Sequence, residues 1–244
     1  MWNGEIAMGN KKLRRSTDHL KSADLMERAR RGDADAAHEL IDHFRRGYPL
    51  EQLRELFRSE SPQAVASAAY IASELGSGAT PLVEEFPRAL RHVESWGRSA
   101  AIDCVFNCAS IENGELVAMA LRLLDDPSVY PRGVALFRLR FADSNLIRAA
   151  LPFLKTEPLG EFLDWLVSNE SAIHASIVEK LGSSNALERR VALASAARPT
   201  GSTLSGNVRA PKALVLAASS QDAEVAEFAR STLQAISEIK EHEH

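Results

Sequence analysis

The fold of this chain is indicated by residues 61–78, which read SPQAVASAAYIASELGSG. Ser61 is a favoured helix N-cap, and Pro62 is tolerated in a first turn because its missing N–H would have no helical partner there. Small and aliphatic residues then recur at a spacing of three and four, as in a helix with one buried face. They are Val65, Ala68, Ala69, Ala72 and Leu75. The sequence predicts an amphipathic helix that Gly76 ends.

A second helix is predicted over residues 80–93. It places Leu82, Phe86 and Leu90 on one face and its charged residues elsewhere. The glycines between the two helices interrupt helical structure, so the pair is expected to form one antiparallel hairpin.

This two-helix unit recurs with a period of about 33 residues. The matching apolar triplets are Ala68, Ile71 and Leu75, then Ala101, Cys104 and Cys108, then Val134, Phe137 and Phe141. Second helices follow with looser spacing over residues 115–126 and 145–155. We therefore expect each triplet to pack against a neighbouring helical layer.

Two segments resemble the HEAT-repeat family. Residues 121–135, LRLLDDPSVYPRGVA, are similar to its repeat junction. In that junction Asp-Pro follows the end of one helix, and the next helix begins with a valine and a small residue. Residues 220–233, SQDAEVAEFARSTL, resemble its first helix, and residues 185–197 are a weaker instance. The resemblance covers residues 61–157 well and 185–239 moderately, whereas residues 158–184 and the loop 199–206 depart from it.

The resemblance implies an all-α fold, an α-solenoid of stacked antiparallel helical hairpins. It implies a concave surface lined by second helices, and no catalytic residues that the family shares. The predicted organisation is a flexible arm over residues 1–15, a single HEAT-like repeat domain over residues 16–240 and a disordered tail over residues 241–244.

Composition and charge narrow the function classes. Hydrophobic residues make up 45% of the chain and charged residues 25%, which is typical of a folded protein. A net charge of −4 repels polyanions such as nucleic acid. We find no apolar run long enough for a bilayer span or a signal core. Cys104 and Cys108, four apart in an apolar helix, suit a reducing compartment, so a cytoplasmic location is expected.

Several short motifs are interpreted as ordinary structure. Gly201–Gly206 has the glycine spacing of a phosphate-binding loop, but Asn207 stands where that motif requires lysine. His38 and His43 are five apart and so point in different directions around a helix. The two cysteines occupy stripe positions, which favours packing over metal binding. The sequence predicts no metal, no cofactor and no catalytic residue.

An enzyme is the alternative. One group of HEAT-like proteins comprises DNA glycosylases that act on alkylated bases with aromatic residues and an aspartate in a basic cleft. Trp96 and Trp165 could supply the aromatic residues, but Asp164 adjoins Trp165 and points to a different helix face. Bilin-attaching lyases, which use related repeats, are a more remote possibility.

The candidate binding surface consists of charged side chains on or beside the second helices. They are Glu84, Glu85, Arg88, Arg91, Glu115, Arg122 and Arg148. Both signs of charge occur, which suits a protein or peptide better than a phosphate backbone. The leading prediction is a non-catalytic interaction module, with a regulatory target or a toxin as partner. Solubilising surface is the alternative reading of these charges, and the oligomeric state stays open.

Overall fold

The protein is described from a computed structural model over residues 21–169, 174–200 and 207–242. The predicted arm over residues 1–15, the Gly201–Gly206 motif and the end of the predicted tail lie outside these residues. The described chain divides into two compact units, of which unit 1 ends at Cys108 and unit 2 begins at Ala109.

Unit 1 is helical throughout its described length. Its elements are α1 (residues 21–30), α2 (Ala34–Arg45), α3 (Leu50–Arg58), α4 (Pro62–Leu75), a 3₁₀ helix (Gly76–Glu85), α5 (Phe86–Leu90) and α6 (Ser95–Cys108). The central element is α4, which packs against α2, α3 and α6. Ser61 caps α4 as predicted, and its Oγ accepts from the Ala64 amide. Gly76 ends it at a φ of 56°, a conformation that favours glycine.

Unit 2 is also helical. Its elements are a 3₁₀ helix (Ile111–Asn113), α7 (Gly114–Arg122), a 3₁₀ helix (Leu123–Asp125), α8 (Val129–Phe141), α9 (Ser144–Ala150), a 3₁₀ helix (Leu151–Phe153), α10 (Pro158–Ser168), α11 (His174–Leu181), α12 (Ala186–Ala197), α13 (Pro211–Ala217) and α14 (Ala223–His242). The central element is α12, which packs against α8, α10, α11, α13 and α14. Asn185 caps α12 by accepting from two backbone amides.

The all-α fold class is confirmed. Within the described ranges we find helices and turns, with an isolated antiparallel bridge between Pro199 and Val208. No described helix has the length and apolar character needed to cross a bilayer. The stacking of hairpins into one solenoid, and the single domain over residues 16–240, stay predictions.

The second helices are shorter than the sequence indicates. The segment predicted as one helix over residues 80–93 is a 3₁₀ helix to Glu85 followed by the short α5. Pro81 and Pro87 explain the change, since a proline supplies no N–H for helical pairing. The segments at 115–126 and 145–155 likewise end in 3₁₀ turns.

The third apolar triplet does not face the core. In α8, Phe137 is 48% and Phe141 43% exposed, whereas Ala135, Leu136 and Leu139 are buried. The buried residues of α8 are therefore a different set from the one that the repeat period predicts. The two earlier triplets are buried except for Leu75, which is half-buried.

Candidate functional site

A hollow on unit 1 brings together three of the predicted binding residues. It has a volume of about 540 Å³ and lies between the start of α4 and the segment from Glu84 to Val93. Its lining residues are Glu60, Pro62, Val65, Glu84, Pro87, Arg88, Arg91, His92 and Val93. We call this feature the α4–α5 hollow.

The α4–α5 hollow has a buried apolar floor and a charged rim. Val65 is 3% exposed, whereas Val93 is 76% exposed at the edge. Glu84, Arg88 and Arg91 are exposed, so both signs of charge surround the apolar surface. The Arg88 guanidinium donates to the carbonyl oxygen of Ser59, which anchors α5 to the loop before α4.

His92 holds the wall of the hollow in place. It is 7% exposed; its Nε2 donates to the Pro62 carbonyl at 2.8 Å, and its Nδ1 accepts from the Glu94 amide at 3.0 Å. This pattern fits one neutral tautomer with both ring nitrogens engaged. His92 is therefore structural, with no ring nitrogen left for acid–base work. The role of His92 could not be predicted from the sequence, because a lone histidine beside a helix end carries no periodic signal.

We expect Gly97→Ala to disturb this wall. A Cβ at Gly97 would lie 2.6 Å from Nδ1 of His92, and the ring is held by hydrogen bonds on both sides. The clash should lower the free energy of unfolding by about 1–2 kcal/mol, since overpacking outweighs the gain in helix propensity. Urea titration followed by circular dichroism measures it. A variant as stable as the wild type would show that the ring is free to move.

Glu85 points inward rather than toward a partner. Its side chain is 11% exposed, and its Oε1 lies 2.6 Å from Nη2 of Arg58 and 3.4 Å from Nε of Arg54. These ion pairs join the 3₁₀ helix of unit 1 to α3. The structure thus gives Glu85 a role in packing.

Two predicted arginines of unit 2 also have structural roles. The guanidinium of Arg122 donates to the carboxylate of Glu157 at 2.9 and 2.6 Å and to the Phe153 carbonyl at 2.8 Å. Arg148 donates to the Val167 carbonyl of α10 at 2.9 Å. Glu115 is exposed on α7. The reversal of Arg122 or Arg148 would therefore weaken packing as well as any binding.

The two histidines of α2, His38 and His43, contact different partners. Nδ1 of His38 lies 3.2 Å from the Tyr70 hydroxyl, and Nδ1 of His43 lies 2.6 Å from Oγ of Ser22. Glu39 pairs with Lys21 at 2.5 Å, and this hydrogen bond lowers the pKa of Glu39. Over the part of the chain that the structure describes, no three histidine, cysteine or carboxylate side chains are grouped to hold a metal ion.

The cysteines and tryptophans lie in ordinary packing environments. Cys104 and Cys108 are buried, with their thiols directed at the carbonyls of Ala69 and Gly76, so their predicted burial is confirmed. Burial raises the pKa of the Cys108 thiol. The indole of Trp96 donates to Glu94, and the ammonium of Lys180 lies 4.9 Å from the ring centre of Trp165.

Comparison with known proteins assigns no family to the chain. No family model matches the sequence, and no curated protein is significantly similar to it. A crystal structure of an engineered protein aligns over 89% of both chains at 19% identity, with a TM-score of 0.42. At this identity and TM-score the alignment gives no information about function.

Proposed function

We propose that this protein is a non-catalytic interaction module that binds a protein or peptide partner at the α4–α5 hollow. The observation that carries the proposal is the meeting of Glu84, Arg88 and Arg91 around an apolar surface that includes the exposed Val93. We further propose that the helices follow a HEAT-like arrangement, in which such second-helix residues face the ligand.

The chemistry of the hollow suits a polypeptide. Protein interfaces combine an apolar centre with a polar rim, and arginine is enriched in them. Here Val65 and Val93 supply apolar surface, and charges of both signs can pair with a partner. The two acidic residues Glu60 and Glu84 balance Arg88 and Arg91, so the hollow lacks the positive excess that a phosphate backbone requires.

The proposal is tested by changing one charged and one apolar residue at the rim of the hollow. The full-length, tagged wild type is used to capture its partner from a lysate of the cells that produce it naturally. We expect the double variant Arg91→Glu with Val93→Asp to lose that partner. Removing an apolar anchor and inverting a rim charge together should weaken binding by about a hundredfold. The matched control is Arg46→Glu with Val215→Asp, which changes one exposed residue of each kind that does not line the hollow. Equal retention by both double variants would contradict the proposal.

A duplex-binding assay separates this function from the DNA-acting alternative. We expect a fluorescent DNA duplex to stay unbound by the wild type at low salt. Binding that falls steeply as salt rises would indicate phosphate contacts and favour the enzyme alternative, because counterion release makes such binding strongly salt-dependent.

A further inference from the structure

Helix α8 of unit 2 carries an exposed aromatic stripe. Tyr130 is 62%, Phe137 48% and Phe141 43% exposed, and Val134 lies half-buried between them. These four residues, the α8 stripe, are spaced by three and four and so line one side of the helix over about 16 Å. Contiguous exposed apolar surface of this kind marks an interaction site more often than scattered single residues do.

Three arginines gather where the α8 stripe ends. The Arg140 guanidinium lies 4.7 Å from the ring centre of Phe141 and donates to the Ala197 carbonyl at 2.7 Å. Arg198 donates to the Ala142 carbonyl at 2.7 Å, and its own carbonyl accepts from the Arg209 amide at 2.9 Å. We call Arg140, Arg198 and Arg209 the arginine cluster. The Ala197 carbonyl is a neutral acceptor, so this hydrogen bond leaves the positive charge of Arg140 in place.

Arg140 lacks a compensating carboxylate among the described residues. Burial lowers the pKa of its guanidinium, and no described acidic side chain lies close enough to raise it. Helix α8 itself contains no aspartate or glutamate. Asp143, the next acidic residue along the chain, accepts from the Asn145 amide as the cap of α9. An incoming carboxylate would therefore supply charge that this end of the stripe lacks.

We propose that the α8 stripe and the arginine cluster together dock an amphipathic helix of a partner protein, whose apolar face is flanked by aspartate and glutamate. A straight row of apolar side chains matches the apolar face of a helix, and the arginines match acidic flanks. This surface is formed by residues of unit 2, whereas the α4–α5 hollow is formed by residues of unit 1.

The ring geometry disfavours a nucleic acid as occupant. Base stacking needs an open ring face. Arg140 already covers one face of Phe141, and Phe137 meets Phe141 edge-on at 5.1 Å between ring centres. A second copy of the chain is disfavoured by charge, because its α8 would bring further arginines and no carboxylate.

The test measures fluorescence anisotropy with the full-length protein and three labelled probes. The first is a helical peptide of about 18 residues, or five turns, with leucines at stripe spacing and glutamates beside them. The second replaces each glutamate by lysine, and the third is an oligothymidylate. We expect the glutamate peptide to bind at least about tenfold more tightly than the lysine peptide. The double variant Phe137→Ser with Phe141→Ser should weaken it by at least about tenfold, whereas Val215→Ser, at another exposed apolar residue of unit 2, should not.

Four results of the binding assay would overturn the inference. They are no binding of the glutamate peptide by the folded wild type, equal binding of the two peptides, tighter binding of the oligothymidylate, and binding that the stripe variant leaves unchanged. Circular dichroism confirms folding of each variant, which the exposure of both phenylalanines favours. Light scattering that shows a dimer of the wild type and a monomer of the stripe variant would assign the stripe to a second copy instead.

Discussion

Gly114→Ala is expected to destabilise unit 2 by about 3 kcal/mol or more. Gly114 opens α7, and a Cβ there would lie 2.1 Å from the carbonyl oxygen of Ala149 in α9. That atom belongs to the backbone, so the overlap can be relieved only by moving α7 away from α9. Thermal unfolding followed by circular dichroism should show a midpoint lower by about 10 °C for a loss of this size.

Gly133→Ala is the matched control. Gly133 lies inside α8 and is exposed, and a methyl group added there would meet no other atom within 4 Å. This substitution should raise stability by about 0.5–1 kcal/mol, because alanine restricts the unfolded chain and favours helix. Hydrogen exchange locates the effect of Gly114→Ala, which should reduce protection in α7 and α9 and leave α4 unchanged. Wild-type stability of Gly114→Ala would mean that α7 and α9 are not in the close contact described.

Glu224→Ala is expected to destabilise unit 2 by about 2–3 kcal/mol. Its carboxylate on α14 accepts from Nε of Arg132 on α8 at 3.0 Å and from Nη2 of Arg190 on α12 at 3.3 Å. All three side chains are largely buried: Arg132 is 14% exposed, Arg190 11% and Glu224 27%. Removing the carboxylate takes a shared ion-pair partner from two poorly solvated guanidinium groups, which costs more than an exposed ion pair contributes. Arg190 keeps its contact with Asp125.

The same carboxylate should make stability depend on pH. The hydrogen bond from Arg132 lowers the pKa of Glu224 in the folded state. The stabilisation is therefore present above the unfolded-state pKa, about 4.3, and is lost as pH falls through the lower folded pKa. Urea titrations between about pH 6 and pH 3 should show a smaller loss of stability for Glu224→Gln than for the wild type. Glu227→Gln, an exposed change on the same helix, should keep the wild-type slope.

Local signals in the sequence predicted both ends of α4. Ser61 was predicted as its N-cap and Gly76 as its end, and both predictions are confirmed. Capping and glycine chemistry depend on residues within one turn, so they can be read without a tertiary structure. The prolines at 81 and 87 carried the signal for the broken second helix, which apolar periodicity alone did not reveal.

The candidate site was predicted only in part. Glu84, Arg88 and Arg91 meet at the α4–α5 hollow. These three residues are close in sequence, so they could be grouped without a tertiary structure. Val93 and His92 were missed as members of the same site, because their role depends on α4, which lies about 30 residues earlier. In the sequence, Glu85 and Arg122 cannot be distinguished from nearby charged residues at the surface. Their ion pairs with Arg58 and Glu157, which are distant in sequence, show that they stabilise the fold.

By itself, then, the sequence determined the all-α class, both ends of α4 and the burial of most apolar residues on the stripes of α4 and α6, because these follow from capping and spacing along one helix. Only the tertiary structure decided which side of α8 is buried. That helix is apolar on both sides, so its spacing is compatible with either orientation. Packing against α12, which lies far along the chain, buries Ala135, Leu136 and Leu139. As a result, Phe137 and Phe141 lie at the surface.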